Sequence, residues 1–150
     1  MPDIFDRLML LKQSSVFSMV RTADLRVVAQ SLEQQEYFAG DCVFEINDQG
    51  DHLYLLVSGK IGVTIDKDPG SDNYIALLGP GDTFGEMNLL DDLPRSATAH
   101  VIEDATVLTL EKTCLRGLIQ SYPDISIGML RSLSLRVREV NNRLLSLKDK

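Results

Sequence analysis

The sequence predicts a mainly β domain with flanking helices, a double-stranded β-helix (jelly-roll) barrel with N-terminal helices and one long C-terminal helix. Three observations predict it. Apolar residues recur at helical spacing before Glu36 and again after Glu111. Between those points the pattern changes to short runs rich in Val, Ile, Phe and Tyr, separated by the turn formers Gly-Asp, Asn-Asp and Pro-Gly. About eight short strands at that spacing suit a β-sandwich or a small double-sheet barrel. A chain of 150 residues, 44% of them hydrophobic, has enough apolar surface for one such core.

Each element follows in order. Leu8 and Leu11, then Leu25, Val28 and Leu32, lie on helical faces, so residues 4–35 are expected to form two or three short helices. Thr22 is the expected N-cap of one of them. Strands are expected over 36–38, 42–46, 52–58, 60–66, 73–78, 83–84, 96–101 and 105–111. Between Phe84 and Ser96 the alternation stops, and Glu86 to Leu90 suits one turn of helix. Residues 112–121 read as a helix. Pro123, favoured at a first helical position, opens a longer one to about Leu147. One domain is expected over 1–150, with N-terminal helices over 1–35, the barrel over 36–111 and C-terminal helices over 112–150.

A formal net charge of −7 argues against a nucleic-acid backbone or an anionic membrane as the main partner. From Pro123 onward six basic residues face three acidic ones, and this basic tail reads as the solvated face of a helix. Cys42 and Cys114 form no Cys-x-x-Cys pair and have apolar neighbours, so buried thiols in a reducing compartment are expected. His52 and His100 are too few and too separated for a metal site and read as turn or sheet residues. Met87 reads as pocket wall or core. Asp3 and Asp6 near the start, the short apolar run from Leu8 to Leu11 and the lack of a spanning segment predict a cytoplasmic protein. No metal and no catalytic cofactor are expected.

The stretch from Gly81 to His100, GDTFGEMNLLDDLPRSATAH, concentrates small residues around two opposite charges. If Phe84-Gly85-Glu86-Met87-Asn88 leads from a strand into a helical turn, Gly85 permits close backbone approach. The first amides of the turn have no internal partner and suit an anion. Arg95, held by Pro94, offers a planar charge-assisted fork to a phosphate, and the Ser96 hydroxyl adds a donor. Glu86 would repel that phosphate, so it is expected to accept hydrogen bonds from sugar hydroxyls beside it, as acids do in dinucleotide-binding folds. Ala97 and Ala99 leave room against the barrel wall. Phosphate plus ribose means a nucleotide. The competing reading is a surface ion pair between Glu86 and Arg95, which contributes little.

Phe84-Gly85-Glu86, then Leu89, then Pro94-Arg95-Ser96-Ala97-Thr98-Ala99 resembles the phosphate-binding cassette of the cyclic-nucleotide-binding domain family. The spacing of acid and arginine is similar to that of the kinase regulatory subunit branch. Leu118-Ile119-Gln120 and Pro123-Asp124-Ile125 are similar to the bacterial catabolite activator branch. The segment from Leu53 to Ile61 and the Gly79-Pro80-Gly81-Asp82 turn resemble the family's barrel strands, so the likeness covers nearly the whole chain. It implies that Glu86 holds the ribose 2′-hydroxyl and Arg95 the cyclic phosphate, with the amides of Gly85 and Met87, Ser96 and the space beside Ala97 completing the shell. Two positions depart from the pattern. Asn88 stands where the family often has a small apolar residue, and would either crowd the cassette or cap its turn. Ser96 stands where threonine accompanies cGMP preference and a small residue cAMP preference, so cAMP is the expected ligand and cGMP the alternative.

Leu130, Leu133, Val137, Val140, Leu144 and Leu147 recur at alternating steps of three and four, the seam of a coiled coil, and predict a homodimer through the C-terminal helix. The resemblance aligns Arg136 with a nucleotide-contacting arginine and Val140 and Asn141 with purine contacts. Val140 lacks the expected hydroxyl, which leaves Asn141 to reach the base from its own or a partner chain. Arg136 and Asn141 are equally well read as exposed coiled-coil flanks. The functional expectation is a non-enzymatic cyclic-nucleotide sensor that relays occupancy through the C-terminal helix to an output partner. The alternatives are a ligand-free dimerisation domain of the same fold and a cupin-like hydrolase.

Overall fold

The computed structural model describes residues 3–66 and 73–148. Asp3 starts the first helix. Its carboxylate accepts from the Asp6 amide at 2.9 Å, and the Asp6 side chain accepts in return from the Asp3 amide, a capping box at the head of α1 (Ile4–Gln13). A turn carrying Val16, Phe17 and Val20 leads into α2 (Thr22–Gln30). Thr22 is the first helical residue rather than the cap. Arg21 occupies the cap position, and its guanidinium reaches Asp24 at 3.2 Å and Asp124 at 2.9 Å, tying the helix start to the C-terminal region.

Six strands follow among the described residues: β1 (Glu33–Tyr37), β2 (Cys42–Phe44), β3 (His52–Thr64), β4 (Ala76–Leu78), β5 (Thr83–Phe84) and β6 (Thr98–Glu111). All pairings are antiparallel, in the order β1-β6-β3-β4, with β2 also on β6 and β5 also on β3. Three expectations are corrected. The strands expected over 52–58 and 60–66 are one, because Gly59 carries β3 through a bulge in a left-handed conformation instead of ending it. Those expected over 96–101 and 105–111 likewise merge into β6. The strand expected over 36–38 begins earlier: polar EQQEY pairs residue for residue with Thr109 to Ala105 of β6.

The long strands divide two apolar clusters by alternation. Leu53, Leu55, Leu108 and Leu110 face the helices, joining Leu11, Phe17, Leu25, Val28, Leu115, Ile125 and Met129. Tyr54, Leu56 and Val107 face the barrel interior with Ile61, Phe84, Ala99 and Val101. A fully buried side chain of this size contributes about 1.5–3 kcal/mol. The architecture is thus a jelly-roll-type antiparallel barrel with flanking helices.

Helix α3 (Lys112–Ser121) follows β6 directly, and Pro123 precedes α4 (Asp124–Lys148). Only Ile125, Gly128, Met129 and Ser132 of α4 are buried. The Ser132 hydroxyl accepts from the Met19 amide at 2.8 Å and donates to the Gly128 carbonyl at 2.9 Å. From residue 134 to the last described residue every side chain of α4 is exposed, so the helix leaves the body of the domain. No described helix is long and apolar enough to cross a membrane.

Both cysteines are exposed, which corrects the expectation of buried thiols. Cys42 lies on the short strand β2, and its apolar neighbour Val43 packs on the barrel cluster from the opposite face. Cys114 sits on the outer face of α3, whose inner face is supplied by Lys112 and Leu115.

Candidate functional site

A cavity of about 260 Å³ lies between barrel strands and the segment from Gly85 to Ala97. Gly85, Glu86, Met87, Asn88, Arg95, Ser96 and Ala97 line one side, and Phe44, Val63, Leu78, Thr83 and Phe84 form the largely apolar remainder. A polar arc on an apolar wall suits a ligand with a charged end and a flat apolar one. A wider groove of about 590 Å³ lies elsewhere, lined by residues of α1 and β1 with Asp6 and Glu36 among them. Two carboxylates and no cation make that groove a poor place for an anion.

Arg95 is the electrostatic centre of the smaller cavity. Its backbone is pinned to the loop before β3: its amide donates to the Asp48 carbonyl at 2.7 Å, and its carbonyl accepts from the Asn47 amide at 2.8 Å. Pro94 bridges to Gln49 beside it. The residue is only 4% exposed. Its Nη1 donates to Asn88 Oδ1 at 3.0 Å and to the Gly85 carbonyl at 3.4 Å, and its Nη2 donates to the His52 carbonyl at 3.1 Å. The guanidinium carbon stands 4.0 Å from the centre of the Phe44 ring, a cation–π contact. The Nε–H has no partner among the described residues. Every acceptor is neutral, and among the described residues no carboxylate forms an ion pair with Arg95. Burial pushes its pKa below the ordinary arginine value, with the Coulombic pull of Tyr54 and Asp51 acting in the opposite sense. The result is a buried cation with no described carboxylate paired to it.

Glu86 opens a four-residue 3-10 turn, Glu86–Leu89, preceded by Gly85 at φ 77°. A Cβ at Gly85 would stand 2.6 Å from Arg95 Nη1 and 2.9 Å from the His52 carbonyl, so glycine is required by both conformation and space. The Glu86 carboxylate is partly exposed and forms no hydrogen bond or ion pair with the described residues. The surface ion pair with Arg95 is therefore not formed. Leu89, at the end of the turn, is buried in the helical cluster with Leu115, Ile125 and Met129. The loop after the turn is held from below by Lys112. Its ammonium donates to the Asp91 carbonyl and pairs with Asp92 at 2.7 Å, which lowers the Asp92 pKa below the usual carboxylate value.

Asn88 does not crowd the cassette. It is buried and bonded within it. Ser96 is exposed with its hydroxyl unbonded among the described residues, and Ala97 is half-buried beside it. Arg136 and Asn141 stand apart. Arg136 is exposed and lines a separate groove with Gln13, Ser18 and Glu139, while Asn141 lies on the part of α4 that leaves the domain. Neither lines the cavity in the single chain. Sequence reasoning missed Phe44, His52 and Tyr54. Tyr54 stacks at 4.9 Å behind Phe84, a residue of the cavity wall, and burial pushes its phenol pKa up to about 12. Phe44 and Tyr54 belong to strands distant in sequence from the cassette, and His52 acts through a carbonyl that any residue would supply.

The family model described as "Cyclic nucleotide-binding domain" matches residues 34–122, more than half of the chain. A CRP-like cAMP-activated global transcriptional regulator of Mycobacterium tuberculosis is 30% identical over 138 residues, covering 92% of this chain and 62% of that protein. The chain thus spans less than two thirds of that relative. The N-terminal domain of a transcriptional regulator from Streptomyces coelicolor superposes with a TM-score of 0.79 at 26% identity, over 90% of this chain and 94% of that one. The regulatory domain of Toxoplasma gondii PKA, crystallised with cAMP, superposes with a TM-score of 0.68 at 26% identity, over 79% of this chain and 46% of that one.

Proposed function

Because the chain belongs to the cyclic nucleotide-binding domain family, we propose that it is a regulatory module that binds cAMP in the cavity behind residues 84–99. The observation that carries this reading is Arg95, a buried cation whose hydrogen-bond acceptors are all neutral, at a cavity shared with the unpaired carboxylate of Glu86. The phosphate supplies the missing countercharge. The ribose hydroxyl meets Glu86, and the base lies against the apolar wall. Ser96 and the amides of Gly85 and Met87 complete the phosphate shell.

Calorimetric titration with cAMP and cGMP tests the reading: one of them binds and is recovered unchanged. Failure of both to bind would favour a ligand-free domain, and turnover would favour an enzyme. The sugar contact has its own test. Glu86→Ala weakens binding of cAMP about tenfold but leaves that of 2′-deoxy-cAMP, which lacks the hydroxyl, nearly unchanged. Equal losses for both nucleotides would remove Glu86 from the ribose.

The exposed stripe on α4 supports a homodimer. Val137 is 58% and Leu144 60% exposed on the same seam, a large apolar surface for a helix without a partner. Val137→Asp with Leu144→Asp is expected to convert a dimer into a monomer by light scattering while leaving the melting of the barrel within a few degrees. A wild-type monomer at micromolar concentration would count against the seam. Arg136 and Asn141 would reach the nucleotide only from an α4, of this chain or a second copy, docked across the cavity mouth. Leu89 shares one buried cluster with Leu115 of α3 and with Ile125 and Met129 of α4, and a relay from the cassette to that helix would run through this cluster. The coupling is limited by the difference in cAMP affinity between docked and undocked states. An output partner, a fused DNA-binding domain or another protein, would read the position of that helix.

A further inference from the structure

The geometry points to Asn88 as a positioning residue for Arg95, one that aims the guanidinium without neutralising it. This rests on the reading of Arg95 as the phosphate ligand. Asn88 is 6% exposed and both ends of its amide are used. Its Oδ1 accepts from Arg95 Nη1 at 3.0 Å, and its Nδ2 donates to the Leu93 carbonyl at 2.6 Å. Only one orientation of the amide satisfies both partners, because a flip would set NH₂ against guanidinium N–H and oxygen against carbonyl. Asn88 is therefore a rigid strut between the residue just before Pro94 and the side chain just after it. A small residue at this position makes neither bond.

The chemical type matters as much as the reach. A guanidinium buried this far needs acceptors. The His52 and Gly85 carbonyls supply two, and among the described residues Asn88 supplies the only side-chain one. An aspartate of the same shape would accept the same bond from Arg95 but could not donate to the Leu93 carbonyl, and it would bring a negative charge against Arg95 and repel an incoming phosphate. Asparagine is the isostere that fixes the group and leaves its whole positive charge to the ligand.

The test has two readouts, one of which needs no nucleotide. In protein labelled with ¹⁵N-arginine and free of ligand, Arg95 gives separate Nη1 and Nη2 signals because rotation about the Nε–Cζ bond is hindered. Asn88→Ala merges them and Asn88→Asp keeps them. In titrations, Asn88→Ala lowers cAMP affinity roughly tenfold, and Asn88→Asp, which keeps the bond to Arg95 but loses the one to Leu93, lowers it at least as much. In an Arg95→Lys background, Asn88→Ala causes less than about a twofold further loss, because its target is gone.

Separate Nη signals surviving in folded Asn88→Ala, or cAMP affinity within about twofold of wild type in either variant, overturns the inference. An equal loss in the lysine background does so too. Should Asn88→Ala fail to fold by circular dichroism, Asn88→Asp carries the decision through its affinity. If the wild-type protein binds no cyclic nucleotide, the proposed function falls, and the arginine signals still decide whether Asn88 holds Arg95.

Discussion

Arg95→Ala lowers cAMP affinity by at least about a hundredfold while the domain still unfolds cooperatively. The size follows from the environment. A cation at the surface loses little on losing an anion, because water and salt replace it. Arg95 is buried among carbonyls, one amide and an aromatic face, and no described carboxylate pairs with it. An anion there interacts at low effective dielectric with a charge whose desolvation the fold has already met. At a cAMP concentration about a hundredfold above the dissociation constant, the wild-type domain gains about 2.7 kcal/mol. For a domain of this length that raises the melting temperature by roughly 5–10 °C. In Arg95→Ala this rise is absent under the same conditions, and in Arg95→Lys, which keeps the charge but not the fork, it is reduced. A variant lacking the guanidinium that retains the full rise in differential scanning fluorimetry would show that the nucleotide sits elsewhere.

The second large effect concerns the fold. Gly59→Ala costs about 3 kcal/mol or more in urea denaturation. Gly59 adopts φ 97°, and a Cβ there would stand 2.3 Å from the Asp104 carbonyl oxygen and 2.6 Å from the Ala105 Cα. Both neighbours are backbone of the strand paired with β3, so neither moves without breaking the ladder. Gly117 is the control. It lies within α3, a Cβ added there would meet nothing within 4 Å, and alanine stabilises by about 0.5–1 kcal/mol through helix propensity. Equal and small effects at both glycines would mean that the bulge in β3 is not held as described.

The same glycine shows where sequence reasoning stops. A Gly between His52–Ser58 and Lys60 reads as a turn because most such glycines are turns; only the pairing of β3 with β6 across the bulge makes it the middle of a strand. The β1 segment EQQEY was legible only in its last two residues, because its strand character comes from backbone pairing with β6 and not from apolar alternation. The cassette was more legible. Its residues are consecutive or nearly so, and a glycine, an acid and an arginine set among small residues form a pattern that local sequence alone displays. Glu86 and Arg95 accordingly line one cavity. The rest of the guanidinium's surroundings was not legible, since Phe44 and the His52 carbonyl come from other strands and only closure of the barrel brings them together. Arg136 and Asn141 lie on α4 away from the cavity, and the local pattern of the helix does not say what, if anything, it brings them against.

The anchoring of α4 at Ile125, Gly128, Met129 and Ser132 has a mechanical consequence. Beyond that bolt the rod continues for about 24 Å at about 1.5 Å per residue. A pivot of about 10° at the anchor sweeps the far tip through roughly 4 Å. Adjustments too slight to disturb the barrel would thereby be magnified at the end farthest from it.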